Sequence, residues 1–122
     1  MFEPLPLDPC PVEATVSVLS GKWKPQILFH LLQGTRRFGE LRKRLPQITP
    51  HLLSIHLRDL ERAGVVSRHA YAEIPPRVEY SLTEFGRSLE PILLMMVQWG
   101  EHYLNNQGRT ESIRATNHVA ES

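Results

Sequence analysis

The sequence predicts a mostly helical fold with a small β-hairpin wing, on three observations. Two short segments with helical apolar spacing, 39–45 and one opening at Thr49-Pro50, are separated by a tight connection. Beyond Gly64 the apolar period changes from helical to strand-like, in two runs divided by a proline-rich tip. A long apolar-striped helix comes next, over about 84–104. Two helices joined by a short turn, then a hairpin, define a winged helix-turn-helix.

Residues 1–10 contain three prolines and no periodicity, and read as an extended arm. A short helix is expected over 11–20, with Cys10 as its N-cap, Pro11 at its first position and Gly21 ending it. The next helix runs from 24 to 33. Pro25 sits in its first turn, and Ile27, Leu28, Leu31 and Leu32 form its buried stripe. Residues 35–38 read as a minor strand. The helix at 39–45 turns Leu41 and Leu45 inward, and Pro46 stops it. Thr49 caps the next helix with Pro50 at its first position. Its inner stripe is Leu53, Leu57 and Leu60, and Gly64 ends it. Val65, Val66 and Tyr71, then Val78, Tyr80 and Leu82, form the two strands of the hairpin. Thr83 is expected to cap the last helix, and residues 105–122 to be a polar, disordered tail. The domain organisation is therefore an arm (1–10), one winged-helix and dimerisation domain (11–104) and a tail (105–122).

Bulk properties narrow the function classes. The 122 residues are 41% hydrophobic, enough for one core without metals or disulfides. The single cysteine excludes an internal disulfide framework and fits a reducing, cytoplasmic location. The first residues lack a basic flank and an apolar core, so no secretory signal is expected. The longest apolar run, near 92–97, is far short of the roughly 20 residues of a membrane span. Net charge is only +1, yet residues 21–70 hold ten Lys/Arg against three Asp/Glu. A basic middle between acidic ends points to a polyanion-binding face.

On the second helix of the pair, the face opposite its leucines carries His51, Ile55, Arg58 and Arg62, with Ser54 at the flank. Thr49 and Pro50 start that helix, whose N-terminal residues would enter the major groove deepest. His51, Ser54 and Ile55 are the expected base readers, Ile55 by packing on a thymine methyl. Arg58 would read bases or hold phosphate. Arg68 and Arg77 on the wing, and Lys22, Lys24, Arg36, Arg37 and Arg42 near helix starts, are expected to hold phosphates without reading sequence. The stripe Leu89, Ile92, Leu93, Met96, Trp99 and Tyr103 is too long for one small domain to cover, and reads as a dimer interface. The helix dipole favours a thiolate at Cys10, while Glu13 opposes it. Oxidation there could give only an intersubunit or mixed disulfide, or a sulfenic acid. The alternative is a capping residue without a regulatory role. The histidines lack ligand spacing, so neither a metal nor a cofactor is expected. No nucleophile–base arrangement or phosphate loop is visible, so the chain does not read as an enzyme.

Five motifs in order make the pattern specific: Cys10-Pro11-Val12-Glu13, Gly21-Lys22-Trp23-Lys24, Arg37-Phe38-Gly39-Glu40-Leu41, Leu57-Arg58-Asp59-Leu60-Glu61 and Pro75-Pro76-Arg77-Val78-Glu79-Tyr80-Ser81-Leu82-Thr83. Together they resemble the HxlR family, winged-helix regulators of bacteria and archaea related in shape to the MarR group, over about residues 10–103. The resemblance implies a homodimer built from the N-terminal segment and the last helix. It implies double-stranded DNA as partner, bound at inverted repeats in promoters. It also places Cys10 where many relatives carry a thiol that senses oxidants or electrophiles. His51 and Ile55-His56 depart from the residues common in that family, which bears on the operator sequence and not on the binding mode. The resulting expectation is a sequence-specific transcriptional regulator, a repressor where its operator overlaps a promoter. The alternative is a winged-helix protein-interaction module, against which the basic recognition face argues.

Overall fold

A computed structural model describes residues 10–118 of the chain. The arm expected over 1–10, except Cys10, and the last four residues of the expected tail lie outside the described residues. The chain divides after Ser88 into two compact units.

The first unit contains α1 (Pro11–Leu19), α2 (Trp23–Leu32), β1 (Arg36–Arg37), α3 (Phe38–Arg44), α4 (Pro50–Arg62), β2 (Val66–Tyr71), β3 (Arg77–Leu82) and α5 (Glu84–Arg87). The strands form one antiparallel sheet in the order β1-β3-β2. β1 pairs Arg36 with Tyr80 and Arg37 with Glu79, so the minor strand joins the hairpin as a third member. In the hairpin Val66 faces Leu82 and Tyr71 faces Arg77. Alternation along β3 comes from the two-residue period of a strand: Tyr80 and Leu82 are buried while Ser81 between them is partly exposed.

The core of this unit comes from the stripes that the 3.6-residue period aligns. Ile27, Leu28 and Leu31 of α2, Leu41 of α3, and Leu53, Leu57 and Leu60 of α4 are all buried. Leu45 and Ile48 are buried in the connection between α3 and α4, so the turn is held by its own apolar residues. Each such side chain contributes about 1.5–3 kcal/mol relative to exposure. Helix α1 buries none of its residues and leaves Val12 and Val16 exposed.

Behind α4, three groups lock the exit of the helix to the wing. Gly64 adopts φ +80, a left-handed conformation that glycine enters without steric cost, and turns the chain into β2. The Thr83 hydroxyl donates to the Gly64 carbonyl at 2.6 Å and accepts from the Gly86 N–H at 2.9 Å. The Thr83 N–H donates to the Val65 carbonyl at 3.1 Å. Gly86 is buried against the Val65 backbone.

The second unit is the single helix α6 (Glu90–His118). One expectation is corrected here. Thr83 does not cap one continuous helix from 84, because α5 ends at Arg87 and α6 starts at Glu90. Pro91 is the physical reason: its ring would clash with the carbonyl four residues back and it has no N–H to donate, yet it is tolerated in the first turn of a new helix. Helical backbone is described as far as His118, within the segment expected as a polar tail. Loss of apolar periodicity removes a buried face without itself breaking a helix. Among the described residues, no helix is long and apolar enough to cross a membrane.

Candidate nucleic-acid interface

Helices α3 and α4, with the connection at 45–49, form the helix-turn-helix. Helix α4 begins where the sequence places it. The Thr49 hydroxyl accepts from the Leu52 N–H at 3.1 Å, and Pro50 fills the first position. With Leu53, Leu57 and Leu60 inward, the opposite face presents His51, Arg58 and Arg62 as exposed residues, and Ser54 and Ile55 as half-buried ones. No ion pair among the described residues engages His51 or Arg58. The one aspartate of α4 is turned elsewhere: Asp59 meets Lys24 at 3.4 Å and Arg62 at 3.6 Å.

That pairing changes the standing of one expected phosphate contact. The Lys24 side chain is only 13% exposed, and its charge is compensated by Asp59, so it ties α2 to α4 rather than facing solvent. Arg36 is likewise engaged, its guanidinium donating to the His30 carbonyl and to the Gln33 amide oxygen, both at 3.4 Å. Arg77 departs furthest from expectation. It pairs with Glu73 at 2.8 Å and Glu79 at 3.0 Å, and lies over the Tyr71 ring at 3.7 Å. The Tyr71 hydroxyl donates to the same Glu79 at 3.2 Å. Two carboxylates and an aromatic face neutralise this guanidinium, and it holds the hairpin together instead of presenting a free charge. The wing tip proper is apolar, with Ile74 fully exposed beside Pro75 and Pro76.

Several other basic residues take part in no ion pair among the described residues. Arg37 and Arg42 are exposed, and the Arg37 N–H donates to the Glu40 carboxylate at 2.8 Å as α3 starts. Arg68 is exposed on β2. The Lys22 ammonium sits 4.8 Å from the Trp23 ring centroid. Lys43 and Arg44 are as exposed as Arg42, although sequence analysis selects only Arg42 from this run. The signal was present in the unbroken triplet Arg42-Lys43-Arg44, which places cations in the last turn of α3 where the helix dipole favours them.

Cys10 is the N-cap residue of α1, half-buried, with no capping hydrogen bond from its side chain. On α6, Ile92, Met96, Trp99 and Tyr103 are exposed, Trp99 to 67%, and the Trp99 and Tyr103 rings stack at 5.5 Å. Leu89 is half-buried and Leu93 is buried at 3% exposure, so these two do not share the open face. Leu94, Met95, Val97 and Leu104 are exposed as well, and the sequence reading missed them. Six apolar residues in succession, 92–97, make this helix apolar on more than one side, which a single-stripe pattern does not capture. Among the described residues, no group of three His, Cys, Asp or Glu could hold a metal ion.

A helix-turn-helix followed by a hairpin that pairs with a short strand preceding it, and a polar, cation-bearing recognition face, defines a winged-helix regulator of transcription. A family model described as HxlR-like helix-turn-helix matches residues 18–108, and the chain belongs to that family. It is 51% identical over 105 residues to YdeP of Bacillus subtilis strain 168, described as an uncharacterized HTH-type transcriptional regulator, spanning 86% of this chain and 82% of the relative. Among solved structures it is similar to the redox regulator HypR in its reduced form, with TM-score 0.76 and 50% identity over 84% of this chain and 98% of that one. The oxidized form of HypR matches with TM-score 0.73 and 53% identity, over 76% and 96%. The family and these relatives are transcriptional regulators, not enzymes, and regulators of the helix-turn-helix type bind DNA.

Proposed function

We propose that this regulator acts as a homodimer on inverted-repeat operators, with α4 in the major groove, and that Cys10 makes it responsive to oxidants or electrophiles. The observation that carries the DNA reading is the α4 face. His51, Ser54, Ile55 and Arg58 lie opposite a fully buried leucine stripe, while Asp59 of the same helix is drawn to Lys24. His51, Ser54 and Ile55 meet base edges, Ile55 against a thymine methyl, and Arg58 meets a base or a phosphate. Arg37, Arg42, Arg62, Arg68 and Lys22 hold phosphates and set register. Dimerisation uses the apolar surface of α6, with Trp99 and Tyr103 as aromatic anchors. An operator that overlaps a promoter makes the protein a repressor. The redox reading is supported by similarity to HypR, a redox regulator with an oxidized and a reduced form. With one cysteine per chain, two Cys10 thiols lose two electrons and two protons to an oxidant such as diamide as an intersubunit disulfide forms.

One titration series tests both parts. Ile55→Ala is expected to change the rank order of bound duplexes, whereas Arg42→Ala weakens all of them alike and flattens the dependence on salt. Cys10→Ser is expected to keep wild-type affinity and lose the change that diamide produces. Equal loss on every duplex for Ile55→Ala would sink base reading by that residue. A wild type indifferent to diamide would remove the sensor role.

A further inference from the structure

An open recess of about 270 Å³ lies between the start of α2 and the end of α3, bounded by Lys22, Trp23, Gln26, Arg44 and Gln47. Its lining holds two cations and no carboxylate, in a molecule where Lys24, Arg36 and Arg77 are all engaged by other groups. Neither Lys22 nor Arg44 takes part in an ion pair among the described residues. The Lys22 ammonium is held over the half-buried Trp23 ring rather than ranging freely. Leu45 and Pro46 give the wall an apolar part, and two amides add neutral donors. Gln26 already donates to the Lys22 carbonyl at 2.9 Å, which fixes its side chain and leaves a second N–H available, and Gln47 is exposed in the turn. At about 30 Å³ per water, the space admits a tetrahedral oxyanion with its hydration.

We infer that this recess seats a single DNA backbone phosphate, clamped between Lys22 and Arg44 with Gln26 and Gln47 as neutral donors. The inference rests on the reading of α4 as the recognition helix. Its position suits the role, because Arg44 ends the first helix of the pair and Gln47 lies in the turn leading into α4. The first helix of a helix-turn-helix crosses the backbone beside the groove that the second one enters. A seat of this kind anchors one phosphate per half-site and sets register, without choosing bases.

The test is duplex binding by the double variant Lys22→Gln/Arg44→Gln over a range of salt concentrations, beside wild type and Arg58→Ala. Both substituted residues are exposed, so thermal unfolding of the double variant is expected to match wild type. Its affinity is expected to fall about ten-fold at 0.1 M salt, equally on every duplex, with a salt slope shallower by about one. A scan with single methylphosphonate linkages locates the seat. Wild type is expected to lose affinity at one linkage per half-site where the double variant loses nothing further. Unchanged affinity and slope in the double variant, with binding lost in Arg58→Ala, overturns the seat and leaves the recognition helix standing. Failure of wild type to bind any duplex overturns both.

Discussion

Two histidines carry a ring nitrogen that nothing among the described residues satisfies. Nδ1 of His30 on α2 and of His56 on α4 is buried without a hydrogen-bond partner. Burial holds the His30 imidazole below its ordinary value of about 6.5, and Arg44 and Arg36 push it further the same way. Burial lowers His56 too, reinforced by Lys24 and opposed by Asp59. The folded state therefore binds fewer protons than the unfolded chain below about pH 6.5. Stability is present above that pH and is lost as pH falls through the folded-state values. Thermal unfolding monitored from pH 7.5 to 5.5 is expected to show a falling midpoint, and His30→Gln/His56→Gln to flatten the fall. A wild-type midpoint that holds or rises across that window contradicts this. The arginines show what a sequence does and does not disclose at this scale. Ile55 and Arg58 were legible because the helical period places them opposite Leu53 and Leu57. The Lys24–Asp59 pair was not, since it needs α2 and α4 side by side. Arg77 was within reach: Glu73 and Glu79 are near in sequence, and the hairpin register sets Tyr71 across from it.

At the scale of elements, the recognition helix is aimed by its connection to the wing and to α5. The Thr83 hydroxyl bridges the Gly64 carbonyl and the Gly86 N–H, which fastens α5 to the exit of α4. A methyl group on Gly86 would run into the Val65 carbonyl oxygen and lie 2.9 Å from its carbon, and backbone atoms cannot step aside as a side chain does. Gly86→Ala is expected to cost about 1–3 kcal/mol by overpacking. Gly39→Ala, where an added methyl meets nothing within 4 Å, serves as the control and should be neutral or stabilising by up to about 1 kcal/mol. Denaturant unfolding of both variants decides the matter, and equal stabilities would remove the close packing from the account. The capping chemistry of Thr49 and Thr83 was legible because hydroxyl caps act within one helical turn. The close approach of Gly86 was not, because it joins positions twenty-one residues apart. The break before α6 was written in Pro91 and passed over in favour of the apolar period.

At the scale of the molecule, the chain separates into a winged-helix unit and a long helix that leaves Leu94, Met95, Met96, Trp99 and Leu104 exposed. That α6 carries an apolar stripe was legible in the helical period. Its width was not, because exposure around α6 depends on packing that no linear period encodes. The proposed two-fold pair requires half-sites about 34 Å apart, one turn of the duplex. The most direct measurement is selection of bound duplexes from a random pool under reducing conditions, with sequencing of the survivors. Enrichment of an inverted repeat with half-site centres about one helical turn apart is the predicted result. Salt-sensitive binding with no enriched sequence would contradict it, and would reduce Ile55 to an ordinary surface residue.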